Sequence, residues 1–449
     1  MLGAVFLGFG VGLIWVKDLV EQRQRYRAEA LASIQDGVGG AQRVIGPLVA
    51  IPWSRTVVQR RPDGMNEEVR EDHVLVVAPR TLEIEGHLAT QTRSRGIFET
   101  EVFTSRQSMR ASFSVGPDIL RAIPTTAAVG TPVLWVSVTE PRGIIGSPAV
   151  TWQGRPVATE PGLGSSTAAG DASQSVPGFS APIVLPFSPT SVEVDARVEL
   201  TLQGSERLEW VPLADAATVT LSGTWPHPSF QGAFLPMERH VSRQGFDSRW
   251  EVGRLATGLA KLRDVRVSDV VAELNQKAFG VSLVAPFDVY GLSIRATKYG
   301  LLFVLLTFGA FQLFEVLGKA RLHAAQYGLV AAAQSVFFLL LLSLAEHVRF
   351  ALAYAVAATA CVALIGAYLA QALKSSRRAA AFSVQLTALY GAVYVLLLSE
   401  DHALLLGSVL IFTALGAVMM STRKLNWFDL PRLQEPVGAR IAPHAPPPL

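Results

Sequence analysis

Long apolar runs separated by short charged loops fill the last third of the chain. The runs hold 18–24 residues each and lie at 299–318, 327–345, 350–373, 379–398 and 403–420. An α-helix rises 1.5 Å per residue, so runs of this length match the hydrocarbon core of a bilayer, which is about 30 Å thick. Residues 298–424 are therefore predicted to form five transmembrane helices.

A further apolar run opens the chain at residues 2–16 and ends at Lys17 and Asp18. No small-x-small cleavage site follows it and no basic stretch precedes it, which argues against a cleaved signal peptide. Residues 1–20 are predicted to form a first transmembrane helix, with Lys17 reaching toward the headgroups. We expect the helix to continue outside the membrane through 18–35 and to stop at Gly37.

In residues 21–297 the apolar positions follow a period of two instead of forming long runs. At 192–202 apolar and polar residues alternate, as they do in a strand with one buried face. Residues 255–277 instead have the pattern of an amphipathic helix, and 162–178 form a loop rich in Gly, Ser and Ala. The region is predicted to be an antiparallel β sandwich or barrel-like domain with minor helices. Gly and Pro separate the further predicted strands, at 44–53, 73–78, 82–88, 109–115 and 133–139.

The composition also indicates a membrane protein of the α+β class, with a β-rich region beside transmembrane helices. Of the 26 prolines, 20 precede residue 287 and none lies at 287–430, which favours long helices beside a turn-rich region. A formal net charge of +3 is too small for a nucleic-acid partner. The single cysteine, Cys361, excludes an internal disulfide and a cysteine-ligated zinc site. The tail at 425–449 is predicted to be disordered.

Charge in the short loops predicts the orientation. The loops 346–349 and 399–402 carry no net positive charge. Because cytoplasmic loops carry the excess of basic residues, both termini are predicted to be cytoplasmic and residues 21–297 to lie on the other side. Three arginines at 23–27 argue otherwise, but large domains translocate largely regardless of charge. Basic residues follow every second run, at Lys319, Arg321, Lys374, Arg377, Arg378, Arg423 and Lys424.

The most unusual short segment is Trp-Pro-His-Pro-Ser-Phe at 225–230. Each proline fixes its own φ near about −65° and keeps the preceding residue out of the α region, so Trp225 and His227 are predicted to be extended. Under one hypothesis His227 is a rigidly presented ligand, acid or base, with His240 as a second group. Under the other, Trp225 and Phe230 pack in the core and His227 finds a backbone partner. We favour the structural hypothesis and keep Trp225, His227 and Phe230 as binding candidates.

A second candidate set lies in loops predicted on the same side of the membrane as residues 21–297. If those loops are neighbours, their carboxylates and imidazoles can converge on a metal ion or a proton. The alternative, which the charge bias of loops favours, is that acids and histidines only mark a non-cytoplasmic loop. Phosphate-binding and hydrolase motifs are absent, so we assign no catalytic residue and expect no cofactor or metal. The set is Glu346, His347, Glu400, Asp401 and His402.

Several short segments of the chain are distinctive: Gly-Pro-Leu-Val-Ala-Ile-Pro at 46–52, Thr-Trp-Pro-His-Pro-Ser-Phe at 224–230, Phe-Leu-Pro at 234–236, Arg-Ala-Thr-Lys-Tyr at 295–299, 341–347 and 402–408. Through these segments and their order, the chain resembles the CreD family of inner-membrane cell envelope integrity proteins. One departure is that Ala324 and Ala325 stand where the family carries a proline before Gln-Tyr. The resemblance implies a bacterial inner-membrane protein with a periplasmic β domain, linked to envelope stress and to tolerance of β-lactams and colicins. It supplies no catalytic residues.

Two functional hypotheses follow. In the first, the protein is not an enzyme, and its periplasmic β domain binds an envelope component or a partner protein while its helices contact the lipid bilayer. In the second, it is a membrane-bound hydrolase or transferase that acts on cell-wall or lipid-linked substrate at the periplasmic face. A transporter is disfavoured, because Glu315 is the one ionised residue inside the apolar runs.

Overall fold

The chain divides into two compact units. The β unit is Arg23–Phe287, and the helical unit combines Met1–Gln22 with Asp288–Leu449. The first helix, α1 (Leu2–Val38), contributes residues to both. The computed structural model describes residues 2–60, 65–163, 176–186, 190–258, 260–266, 269–275, 277–283, 289–318, 323–372, 375–399 and 402–423.

The described strands of the β unit form two sheets. Their strands are β1 (Gln42–Arg60), β2 (Asn66–Val77), β3 (Thr81–Arg95), β4 (Phe98–Val115), β5 (Ala128–Val129), β6 (Val133–Val138), β7 (Ala149–Trp152), β8 (Arg155–Val157), β9 (Glu160–Pro161), β10 (Phe179–Pro182), β11 (Val192–Ser205), β12 (Arg207–Val211), β13 (Ala216–Gly223), β14 (Ser229–Gly232), β15 (Glu238–Ser242), β16 (Gly245–Gly253), β17 (Leu262–Arg266) and β18 (Phe279–Ser282). The first sheet runs β14-β18-β12-β1-β6-β10-β9, with β2 and β5 also paired to β1 and β17 paired to β2. The second runs β15-β16-β13-β3-β4-β11-β7-β8.

The alternation in the sequence becomes strand structure. In β11, Val194, Val198 and Leu202 are buried, whereas Glu193 and Asp195 are exposed. The strand predicted at 192–202 is therefore confirmed, and the five other predicted strands overlap β1, β2, β3, β4 and β6.

Side chains from both sheets form one continuous core, which includes Trp210, Trp250 and Phe279. The first sheet is buried on its other face as well. Alternate residues of β1 belong to different clusters: Val49 packs in the shared core, while Leu48 packs with residues that include Leu274. A short helix that contains Leu274, Val270–Leu274, supplies part of this second cover.

Two strand pairings depart from the antiparallel arrangement that was predicted. β1 pairs with β12 and β3 pairs with β13 in parallel, whereas every other described pairing is antiparallel. Each parallel pair joins strands that are far apart in the sequence. Alternation within one strand identifies its buried face but not the direction of a distant neighbour, so the sequence pattern could not reveal them.

The prediction of an amphipathic helix at 255–277 is wrong. The segment contains the end of a short helix (Arg254–Thr257), then β17, then the helix Val270–Leu274. Gly258 adopts a left-handed conformation with φ +68° and ends the first helix, because its N–H donates to the carbonyl of Arg254. Residues 262–266 then extend the first sheet by pairing with β2, and this long-range pairing overrides the local helical period.

The junction that follows α1 is built around a buried glutamine. The helix ends at Val38, slightly beyond the predicted stop, and Gly39 closes it with an N–H bond to the carbonyl of Gln35. Gln42 is 1% exposed, and its Nε2 donates to the carbonyls of Glu140 (3.1 Å) and Gln203 (2.9 Å). Its Oε1 accepts from the N–H of Glu140 at 3.2 Å. Both the amide nitrogen and the amide oxygen of this buried side chain therefore have hydrogen-bond partners.

Glycines make room for this glutamine. A Cβ on Gly39 would lie 2.8 Å from Gln42 Nε2, and a Cβ on Gly204 would lie 2.6 Å from Gln42 Cγ. A Cβ on Gly143 would overlap Gln42 Nε2 as well. Three glycines from separate segments thus form a cradle around Gln42, which we call the Gln42 cradle.

The helical unit contains several helices of membrane-spanning length. Among the described residues, four helices are long and apolar enough to cross a bilayer, or five if the pair Gly291–Lys298 and Leu302–Gly309, bent by 41°, counts as one span. The prediction of five C-terminal spans is thus confirmed for four. A role for α1 as a further span stays a prediction. The described C-terminal helices are Val289–Lys298, Gly300–Gly318, Ala324–Ala345, Phe350–Ala372, Ser376–Leu398 and Ala403–Thr422.

Polar contacts join these helices at their centre. Gln334 donates to Thr307 Oγ1 at 2.6 Å, and Tyr390 donates to Cys361 Sγ at 3.1 Å. Tyr354 donates to the carbonyl of Tyr390 at 2.8 Å. The bond from Gln334 to Thr307 joins two helices through their polar side chains, as is common between helices in a bilayer. None of the residues of Ala403–Thr422 is buried, which suits a helix that contacts lipid.

Candidate functional site

The segment 225–230 lies at a crossing between the two sheets. It follows β13 of the second sheet and leads into β14 of the first. Thr224 fixes the start of the crossing, because its N–H donates to the carbonyl of Leu88 and its Oγ1 accepts from the N–H of Thr90 at 3.1 Å. The sequence gives no sign of this role for Thr224, since the role depends on the parallel pairing of β13 with β3.

His227 is exposed in the middle of this crossing. The indole N–H of Trp225 donates to the carbonyl oxygen of His227 at 2.8 Å, and the two rings meet edge to face with centroids 6.1 Å apart. Among the described residues, none makes a hydrogen bond to the imidazole. The backbone of His227 is therefore held by two prolines and one indole, while its ring faces solvent.

The aromatic residues on either side of His227 contact the core. Phe230 packs edge to face against Phe246 and Trp250, with ring centroids 5.8 and 5.7 Å apart. Trp225 is partly buried against the same core cluster. His240, the predicted second group, lies in β15 opposite Asp247 of β16 and is exposed.

Three members of the second candidate set, Glu346, His347 and His402, belong to the described residues, and they do not form a group suited to a metal ion. Glu346 follows the helix Ala324–Ala345, and Nδ1 of His347 lies 3.0 Å from the carbonyl oxygen of Ser343 one turn earlier. His402 precedes the last helix, and its carbonyl accepts from Leu406 at 2.9 Å. Glu400 and Asp401 lie outside the described residues.

No group of three or more His, Cys, Asp or Glu suited to a metal ion is found within the described ranges. The hydrolase or transferase hypothesis therefore stays a prediction from the sequence.

A polar cluster that the sequence did not suggest lies across β1, β2 and β17. The rings of Trp53 and His73 stack with centroids 4.4 Å apart, and the Trp53 indole donates to Asp264 at 3.0 Å. Arg55 donates two hydrogen bonds to one carboxylate oxygen of Glu71, at 2.9 and 3.0 Å. These bonds lower the pKa of the Glu71 carboxyl below its usual value, although desolvation opposes the shift. Only the register of three strands brings these residues together.

Replacing Glu71 with glutamine is expected to reduce the melting temperature at pH 7, and this reduction is expected to shrink as the pH falls through the folded pKa of Glu71. A carboxyl whose folded pKa is lowered stabilises the fold above its unfolded pKa, and the contribution is lost as the pH falls through the folded pKa. Thermal unfolding of both proteins across this pH range measures the difference. Glu99→Gln, an exposed position on β4, is the control, and a difference for Glu71→Gln that persists at acid pH would contradict the assignment.

Comparison with known proteins identifies the family. A family profile described as "Inner membrane protein CreD" matches residues 1–428. The chain belongs to the CreD family. It is 33% identical over 437 residues to the inner membrane protein CreD of Escherichia coli K12, with 97% of this chain and 94% of that protein covered. The CreD-family resemblance noted in the sequence is thus confirmed, as is an inner-membrane protein with several spanning helices.

Solved structures add little to the CreD assignment. An M1 zinc metallopeptidase mutant from Deinococcus radiodurans is 9% identical, with 46% of this chain and 43% of that chain covered and a TM-score of 0.19. A second structure of the M1 zinc metallopeptidase from that organism is 8% identical over 46% and 43%, with a TM-score of 0.17. The chain thus spans less than half the length of these proteins, and TM-scores this low carry no argument about fold or activity.

Proposed function

We propose that the β unit lies in the periplasm and binds an envelope component or a partner protein at the crossing 225–230. In this proposal the protein is not an enzyme, and it supports envelope integrity and tolerance of β-lactams and colicins. The observation that carries the proposal is the exposed imidazole of His227 on a backbone fixed by Pro226, Pro228 and the Trp225 indole.

Fixing the backbone before binding favours affinity. A flexible loop loses conformational entropy when it binds, and a loop that is already ordered loses less. An exposed, ordered imidazole can donate or accept a hydrogen bond, and it becomes a cation when protonated. Trp225 and Phe230 then serve as the packed supports of the contact residue, since both rest on the core.

Replacing His227 with alanine is expected to abolish tolerance of β-lactams and colicins in cells that depend on this protein, while membrane insertion and folding persist. The side chain is exposed, so its removal changes stability by no more than about 0.5 kcal/mol. Minimal inhibitory concentrations measure tolerance, and the amount of folded protein in membranes controls for expression. His87→Ala, an exposed histidine on β3, is the matched control. Unchanged tolerance in His227→Ala, or equal loss in both variants, would remove His227 from the function.

We also propose that α1 spans the membrane and that both chain termini are cytoplasmic. Alkaline phosphatase needs disulfides that form in the periplasm, so a fusion at Ser375 is expected to be inactive and a fusion at His402 active. Fusions to a fluorescent protein that matures only in the cytoplasm are expected to give the reverse pattern. Phosphatase activity of the fusion at Ser375 would show that the orientation is the reverse of the one proposed.

A further inference from the structure

Of the four strands that end the two sheets, three are protected against pairing with another chain, and β14 is not. An edge strand presents unpaired backbone groups, which proline, charged side chains or a very short length normally protect. β8 contains Pro156, β9 contains Pro161, and β15 carries Glu238 and Arg239. The side branches β5 and β17 are two residues long and charged, respectively. β14 is Ser-Phe-Gln-Gly, without proline or charge, so among these described strands it is the one open to a further strand.

The hydrogen-bond pattern directs the backbone of Phe230 toward the open edge of β14. In an antiparallel pair, every second residue exchanges its backbone bonds with the partner strand. Ala233, directly after β14, donates to the carbonyl of Ala278 at 2.9 Å, so by alternation Gln231 bonds to β18. The N–H and C=O groups of Phe230 and Gly232 therefore point away from β18. In the described part of the chain, no backbone group bonds to them on that side.

An exposed cation lies beside the start of β14. Arg207 of β12 lies opposite Ser282 of β18, which in turn lies opposite Ser229 of β14. These three residues therefore share one row and one face of the first sheet. Arg207 is exposed and forms no ion pair with a described carboxylate. The neighbouring Glu206 instead accepts a hydrogen bond from Gln35 at 2.7 Å.

A second cation lies at the other end of β14. Lys277 is exposed and precedes Ala278, whose carbonyl accepts from the first residue after β14. Its ammonium group donates to the carbonyl of Ala256 at 3.4 Å and forms no ion pair with a described carboxylate. The next acidic residue along the chain, Glu238, lies in the second sheet opposite Arg249. The open edge is thus uncharged with a cation at each end, which is complementary to an extended segment with acidic side chains.

We propose that the partner at the crossing is a polypeptide with acidic side chains, and that an extended segment of it pairs with β14 as a further strand of the first sheet. This assignment rests on the proposed function and adds to it the class of partner. Backbone bonds to Phe230 and Gly232 supply affinity, while Arg207 and Lys277 select acidic side chains. An anionic lipid or polysaccharide can neutralise the two cations but cannot extend the backbone ladder.

The test uses the full chain in phosphatidylcholine nanodiscs and a peptide of about eight residues, a usual strand length, in which glutamate and valine alternate. Fluorescence anisotropy of the labelled peptide is expected to show saturable binding that weakens as salt is added. Two further peptides carry N-methyl groups on every glutamate or on every valine. Because alternate residues of a strand face its neighbour, one methylated peptide is expected to bind at least about tenfold more weakly than the other. Equal affinities of the two, or no saturable binding of the unmethylated peptide, would overturn strand addition.

Charge variants locate the bound peptide on the sheet. Arg207→Gln and Lys277→Gln are each expected to weaken its binding roughly threefold or more without lowering the melting temperature appreciably, since both side chains are on the surface. Arg155→Gln is the matched control, because Arg155 is an exposed cation on β8, which ends the second sheet. An equal loss in Arg155→Gln would overturn the placement of the peptide at β14.

This test and the tolerance test of His227→Ala can fail separately. If His227→Ala abolishes tolerance but the two methylated peptides bind equally, the crossing binds its partner in another way and strand addition is wrong. If one methylated peptide binds more weakly and His227→Ala keeps full tolerance, strand addition holds and His227 is not part of the function.

Discussion

Replacing Gly143 with alanine is expected to destabilise the β unit by roughly 3 kcal/mol or more and to lower its melting temperature by roughly 6–12 °C. The new Cβ would overlap Nε2 of Gln42 and the carbonyl oxygen of Gln203. Gln42 is buried and bonded to two segments, so moving it away breaks hydrogen bonds in a place that water does not reach. Thermal unfolding of the full chain, followed by near-ultraviolet circular dichroism, measures the shift.

A neighbouring glycine controls for the substitution itself. A Cβ on Gly40 would meet nothing within 4 Å, so Gly40→Ala is expected to change the free energy of unfolding by no more than about 0.5 kcal/mol. If the overlap with Gln42 causes the loss, Gly143→Ala should cost less in a Gln42→Ala background than in the wild type. Equal melting temperatures for Gly143→Ala and Gly40→Ala would show that the Gln42 cradle does not constrain the fold.

The sequence predicts the parts of this fold that depend on neighbours along the chain. Strict alternation at 192–202 identifies β11 and its buried face, because a strand exposes every second side chain to solvent. Prediction from the local pattern fails at 255–277, where pairing between Leu262–Arg266 and β2 overrides a helical period. The Gln42 cradle is invisible for the same reason. The three glycines around Gln42 come together only when distant segments of the chain fold against one another.

The candidate sites also differ in how far the sequence alone predicts them. The restricted backbone at His227 is predictable from the prolines on either side of it, because a proline restricts its own φ and the conformation of the residue before it. The contact between Arg55 and Glu71 is not predictable, since both residues occupy ordinary polar positions in strands whose register is unknown from sequence. A shift of one residue in the pairing of β1 with β2 would place Glu71 on the opposite face of the sheet from Arg55. Register, more than strand assignment, therefore limits what sequence alone says about surface sites.

Replacing Phe279 with alanine is expected to cost about 3–5 kcal/mol. Phe279 is fully buried in β18, and its ring contacts those of Trp250 (5.5 Å), Phe234 (6.0 Å) and Trp210 (6.4 Å). Its removal leaves a cavity that these large rings cannot fill without leaving their positions. Chemical unfolding of the full chain measures the loss, and tryptophan fluorescence is expected to shift to the red as water reaches the two indoles.

The same substitution also tests how the crossing is supported. β18 pairs with β14, the strand into which the crossing leads, and Phe279 lies opposite Gly232. We therefore expect Phe279→Ala to reduce tolerance although His227 is intact, and Phe279→Leu, which keeps most of the volume, to cost less than about 1.5 kcal/mol and to preserve tolerance. If both variants lose stability but retain full tolerance, the order of the crossing does not depend on the core beneath it. The fixed backbone of His227 would then come from its prolines and the Trp225 indole alone.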